Sequence, residues 1–268
     1  MRRPRITLII ALSIGFSSAG FAEDPPDASQ AAWSGKIALG GSLSAGTTDT
    51  IGVNVSIGGE REWGENLVRL GFDAQYGKTN KKHSASVTDS NQQVLTEYFR
   101  RTISDDFYLY NENEQSRDRV QNINLRLLSS VGPGYRVWEN EDGGVLDFEA
   151  GVGYRYEDYG RTDDPFPGPL PGGDGIPVRA KSRNDVTGRT ALFYKRKIGL
   201  ADFGQTAEFL LPFNDTGAWL ARAETKLSLP VLESWSFENT LGLEFSNAPP
   251  EDTDKFELDY VISLVYAF

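Results

Sequence analysis

From Lys36 to Ala45 the chain alternates, with Ile37, Leu39 and Leu43 at odd positions and Lys36, Ser42 and Ser44 at even ones. Successive side chains of a strand point to opposite faces, so this segment reads as a strand with one apolar and one polar face. The pattern returns at Ile51–Ile57, Val68–Tyr76, Leu146–Tyr156, Trp219–Leu227, Phe237–Phe245 and Leu258–Phe268. Weaker alternation predicts strands at Val94–Ile103, Phe107–Glu114, Val120–Val131, Val186–Lys195 and Gln205–Phe213. Together they make about twelve, an even number. There are two blemishes. Tyr110–Gln115 is polar on both parities and reads as projecting beyond any membrane, and Glu97 and Arg101 share a parity with Phe99 and Ile103.

The connections sort by length. The even-numbered ones, at Trp63–Asn66, Ser104–Asp106, Asn140–Gly144, Gly199–Gly204 and Pro230–Ser234, are short. Two odd-numbered ones, Lys78–Gln93 and Asp158–Ser182, are long. On an up-and-down barrel, short turns and both termini then share one side and long loops the other, as in outer-membrane barrels. Trp33, Trp63, Trp138 and Trp235 all fall at the short-turn end, where an interfacial aromatic belt would lie.

A soluble sandwich or calycin-type barrel also alternates, with its apolar face turned inward. Aromatics gathered at strand ends, and polar faces rich in Gly, Ser and paired charges, favour the opposite arrangement. The expected fold is therefore all-β: an antiparallel up-and-down transmembrane barrel of about twelve strands. Lipid meets the apolar parity and the polar parity lines the interior.

The N-terminus changes the domain picture. Arg2, Arg3 and Arg5 precede an apolar run, Ile6–Phe16, then small residues and a cleavage position after Ala22. These are the marks of an export signal. The expected organisation is a signal peptide over 1–22, a short linker over 23–32 and the barrel over 33–268, located in an outer membrane.

Composition mainly excludes. The formal charge is −11, and the signal takes three arginines and no acid with it, so nucleic acid is not an expected partner. There is no cysteine and one histidine, which leaves little for zinc, haem-thiolate or thiol chemistry. No run after the signal is long and apolar enough for a membrane-spanning helix.

The segments Ala32–Thr50 (AWSGKIALGGSLSAGTTDT) and Glu60–Gly77 (EREWGENLVRLGFDAQYG) resemble the opening of the YdiY-like salt-induced outer-membrane protein family, a domain of unknown function. Arg101–Tyr110, Ser130–Glu139 and the closing VYAF extend the resemblance over about residues 32–268. Ala45 and Thr47 depart from the pattern around Gly46, and the Pro-rich insert after Tyr159 is atypical. The resemblance implies an outer-membrane barrel without an agreed activity. A terminal Phe268 preceded by Tyr266 also resembles the C-terminal signal read by the barrel assembly machinery, which makes that machinery an expected partner alongside outer-membrane lipid and lipopolysaccharide.

No catalytic constellation emerges, and no cofactor or metal site is expected. His83 lies in the polar segment KTNKKHSAS and reads as a solvated loop residue. The polar parity carries more. It assigns Lys36, Glu60, Arg69, Asp73, Arg126, Asp147, Glu149, Arg155, Glu157, Arg189, Arg222, Glu224, Lys226, Glu238, Glu244, Glu257 and Asp259 to the interior. Such charges either hydrate a narrow pore and set its ion preference, or pair into a network that closes it. The leading expectation is a non-enzymatic passive channel for small polar or ionic solutes. The alternative is a non-conducting envelope or surface-interaction barrel acting through its loops. Asp163–Pro177 (DDPFPGPLPGGDGIP) is too rich in Pro and Gly for a helix or a central strand.

Overall fold

A computed structural model describes residues 32–45, 48–81, 87–118, 123–159, 182–249 and 254–268. The expected signal segment, His83 and the Pro-rich stretch lie outside them. Twelve strands follow in order: β1 (Trp33–Ala45), β2 (Thr48–Trp63), β3 (Asn66–Lys81), β4 (Val87–Thr102), β5 (Phe107–Asp118), β6 (Ile123–Glu139), β7 (Val145–Tyr159), β8 (Ser182–Ile198), β9 (Ala201–Pro212), β10 (Leu220–Leu232), β11 (Trp235–Ser246) and β12 (Phe256–Ala267). Each pairs antiparallel with its sequence neighbours, and β12 returns to pair with β1, closing the barrel. Closure leaves no free edge.

The apolar parity faces out. Leu39, Ile51, Val53, Val152, Val186 and Ile262 are all exposed, whereas Ser42, Arg155, Thr187, Arg189 and Ser263 are buried. A polar interior inside an apolar shell is the arrangement of a membrane barrel, not of a soluble one. Rings gather at both ends of the shell. Trp235, Tyr266 and Phe268 pack in a row near the short turns, and Trp138 meets Tyr194, which meets Phe203. At the other end Trp219 stacks between Phe209 and Phe245.

The short turns use glycine where the backbone demands it. Gly64, Gly143 and Gly199 each have positive φ, and all three sit at the end where the chain begins and stops. There Gly35 and Phe268 exchange backbone hydrogen bonds of 2.8 and 2.9 Å.

Three sequence expectations need correction. The connection expected over Lys78–Gln93 is mostly strand, because β3 and β4 continue their ladder out to Asn80 opposite Val87. Backbone pairing carries the hairpin past the point where apolar alternation stops. Next, β6 runs to Glu139, well beyond Val131, through Gly132, Pro133 and Gly134. The weak alternation ends the expected strand at Val131, but the ring of Tyr108 on β5 lies where a Cβ on Gly134 would be, 2.1 Å away. The neighbouring aromatic supplies the packing that the glycine lacks. Finally, Tyr110–Gln115, too polar to be read as a regular wall strand, is part of one. It is paired with β4 and β6 throughout, and its even residues turn into the barrel.

Candidate functional site

Three arginines organise the interior. Arg189 on β8 contacts Glu112 on β5, Glu149 on β7 at 2.7 Å and Glu208 on β9 at 2.5 Å. Arg222 on β10 contacts Glu114 on β5 at 2.9 Å, Glu244 on β11 at 3.0 Å and Glu208 at 3.8 Å. Arg126 on β6 contacts Glu157 on β7 at 2.7 Å and Glu244 at 3.6 Å. The fork of a guanidinium suits this role because it can hold several carboxylates at once.

Two of these contacts join strands five places apart in the ring: β5 to β10 and β6 to β11. A round twelve-stranded barrel with tilted strands would be roughly 25 Å across, and an Arg and a Glu end to end reach only about half of that. The contacts therefore require the β5–β6 wall to approach the β10–β11 wall. That pinch splits the interior into two lobes.

The lobe walled by β7–β9 is filled. Glu149 is 0% exposed, and Arg155, Asp185, Thr187 and Arg189 are buried with it. Glu149 accepts hydrogen bonds from the hydroxyls of Tyr98 at 2.7 Å and Tyr108 at 3.2 Å. Arg189 also lies over the ring of Tyr110, 5.1 Å from its centroid, while Arg100 covers Tyr108 and Arg69 covers Tyr98. A buried guanidinium needs carboxylates, and here rings and hydroxyls complete its surroundings.

Above this lobe the β9–β10 connection, residues 213–219, closes down on the interior. Arg155 donates to Asp185 at 2.6 Å and to the carbonyl of Ala218 at 3.4 Å. Asn214 donates to the other Asp185 oxygen at 2.8 Å, and Arg183 bridges Asp185 to Asp215. Asp185 thus ties two arginines and a loop amide together.

The lobe walled by β12 and β1–β3, with the lower part of β10 and β11, is the wet one in the sense that several of its ion pairs are exposed. Its wall includes small residues such as Gly40, Ser56 and Gly58, with Ala38 and Ser42 buried among them. Gln75 donates to Ser42 and Ser44. Arg69 pairs with Glu60, their side chains 52% and 41% exposed although both are on the inward parity. Lys226 bridges Glu224 at 3.2 Å and Glu238 at 3.8 Å, and the Glu224 side chain is 48% exposed. Lys36 reaches the same Glu238 at 3.8 Å. Asp73 faces Ser56 across β2–β3, Asp259 faces Ser44 across the seam, and Glu257 stands opposite Glu244.

Asp147 is held near the short turns by Arg136 at 2.9 Å. The seventeen residues assigned by parity thus fall into two groups. Arg126, Asp147, Glu149, Arg155, Glu157, Arg189, Arg222 and Glu244 join the pinch or the filled lobe, and the others border the wet one. Sequence reasoning missed Glu112, Glu114, Arg136, Asp185 and Glu208. The first two share a parity with Tyr108 and Tyr110, but Asn111, Asn113 and Gln115 on the other parity hide the alternation. Of the four tryptophans at the short-turn end, Trp33, Trp138 and Trp235 are exposed, and Trp63 lies under the Arg61 guanidinium.

The profile of the family described as "Protein of unknown function, DUF481" matches residues 37–268. The chain belongs to the DUF481 family. The YdiY-like kinship read from Ala32–Thr50 falls within it. No curated protein matches this DUF481 chain in sequence. Among solved structures it is similar to the translocator domain of the autotransporter NalP from Neisseria meningitidis, with a TM-score of 0.54 and 10% identity over 87% of this chain and 88% of that one. It is also similar to an outer membrane channel from Pseudomonas putida F1, with a TM-score of 0.51 and 9% identity over 92% and 100% of the two chains. The NanC porin gives a TM-score of 0.50 and 13% identity over 86% and 98%. At these identities the likeness is one of fold: a DUF481 chain builds a closed barrel of the outer-membrane kind.

Proposed function

We propose that this DUF481 protein is an exported, integral outer-membrane channel that passes small polar or ionic solutes passively, through the lobe walled by β12 and β1–β3. The supporting observation is the division of the interior. The Arg–Glu pinch gathers long side chains on one side and leaves small residues and water-exposed ion pairs on the other. The wet lobe carries Lys36, Arg69 and Lys226 against Glu60, Asp73, Glu224, Glu238, Glu257 and Asp259. An excess of carboxylates in a narrow aqueous path favours cations. The reading is of a non-enzymatic barrel.

The test is single-channel recording of the refolded mature protein in a planar bilayer. Discrete openings with a reversal potential favouring the cation are expected. A folded, heat-modifiable barrel without conductance would overturn the channel. It would favour the alternative of a non-conducting envelope barrel, for which the loop tied to Arg155 and Asp185 is the supporting observation.

A further inference from the structure

The outward face is mostly apolar, and its polar residues concentrate on three strands. On β4, β5 and β6 the outward parity carries Gln93, Glu97, Asn111, Asn113, Gln115 and Ser129 in one patch, with Asn91 and Arg117 continuing it toward the long-loop end. Two outward polar pairs elsewhere are closed: Thr225 donates to Gln205 at 2.6 Å, and Tyr260 donates to Asn239 at 3.0 Å. Within the patch, Gln93 donates to its neighbour Asn91 at 3.3 Å. The patch is only half closed. Asn113 donates to Asn111 at 2.9 Å and accepts from Ser129 at 2.7 Å, while Asn111 donates to the Ser130 carbonyl at 3.2 Å. Each amide keeps a second N–H. Glu97, directly opposite Asn113 in register, has no ion-pair or hydrogen-bond partner among the described residues.

Depth makes this costly. Asn113 is the seventh residue of β5, counted from the short-turn end. With a strand tilt of about 45° and a rise of about 3.3 Å per residue, it lies about 14 Å up an apolar band about 25 Å tall. Glu97 is beside it. A carboxylate and unfilled amides at that depth are unfavourable against lipid and favourable only against a polar surface of matching chemistry. At the same levels β1, β2, β7 and β12 present Leu39, Val53, Val55, Val152 and Ile262.

We infer that this patch is the interface with a second copy of the same chain. The inference rests on the membrane location proposed above, but not on conduction. The patch is self-complementary. Glu97 is acceptor-only and lies on β4, while the spare donors of Asn111 and Asn113 lie on β5 at nearly the same depth. A two-fold axis along the membrane normal, passing between β4 and β5, sets Glu97 of each copy against the asparagines of the other. Two copies in one membrane share orientation and depth, so both halves are satisfied at once.

The chain has no cysteine, which makes the test direct. Asn113→Cys and, on the far wall, Val55→Cys are each expressed in outer membranes and oxidised, with heat-modifiability confirming a folded barrel. A cross-linked homodimer at Asn113→Cys and none at Val55→Cys is expected. The wild-type protein in mild detergent should have twice the protomer mass by light scattering, and Glu97→Leu with Asn113→Leu should halve it. A folded wild-type barrel that is monomeric by mass, or an Asn113→Cys adduct only with lipid or with a different protein, would overturn the inference. Conductance plays no part in these readouts, so a failure here is distinct from a failure of the channel.

Discussion

The Arg222 guanidinium lies 2.9 Å from the Glu114 carboxylate although their strands, β10 and β5, are five places apart around the ring. That contact, seconded by Arg126 and Glu244, holds two walls of the barrel together. Arg222→Ala should release the pinch. Removing one partner of a largely buried ion pair costs about 3 kcal/mol, so the urea midpoint for unfolding from detergent falls while single-channel conductance rises. The paired change Arg222→Met with Glu114→Met should recover much of the stability and keep the larger conductance.

Ion preference should follow the wet lobe and not the pinch. Glu224→Lys with Glu238→Lys reverses the charge balance around Lys226 and Lys36. In a potassium chloride gradient the reversal potential should move from the cation side toward the anion side; heat stability should change little for Glu224→Lys alone, whose side chain is 48% exposed, and fall more when Glu238, 15% exposed, is replaced as well. An unchanged reversal potential would place the path elsewhere.

The seam should be sensitive to one ring. A Cβ on Gly35 would stand 2.6 Å from the Phe268 ring, so Gly35→Leu displaces the terminal residue that β1 holds by two backbone hydrogen bonds. Both Gly35→Leu and Phe268→Ala should lower the yield of heat-modifiable barrel several-fold. Tyr266→Ala should act in the same direction, since Tyr266 packs between Trp235 and Phe268.

The loop over the filled lobe should be held by Asp185. Asp185→Ala leaves Arg155 and Arg183 without their shared carboxylate and frees Asn214. A loss of about 3 kcal/mol is expected, together with faster cleavage beside Asp215 by an Asp-directed protease, read from fragment masses. Asn214→Ala should speed the same cleavage at a smaller cost in stability.

Much of this was legible in the chain. Alternation at Ile37–Leu43, Ile51–Ile57 and Leu258–Phe268 placed strands that pair with one another, because a half-buried strand must segregate its faces. The continuation of β6 past Val131 was not legible, since the place of Gly132 and Gly134 depends on the backbone of β7 and the ring of Tyr108, and no local pattern encodes a neighbour's carbonyl or ring. Glu112 and Glu114 were hidden for a different reason. Their strand is polar outward as well as inward, so alternation vanishes where the outward face meets something other than lipid. The pinch itself could not be read, because it depends on which strands face each other across the bore.

The seam also dictates an order of events. β1 pairs with β12 from Lys36 opposite Ala267 to Ala45 opposite Leu258. The first strand synthesised therefore waits for the last. Until Phe268 is available, any partly formed sheet carries two unpaired edges, each an invitation to aggregate. Local hairpins can form early, but the long-range pairing that completes the cylinder comes late by construction. A truncation that removes only the final strand would thus leave eleven strands with no way to finish, and cost the cell the whole barrel.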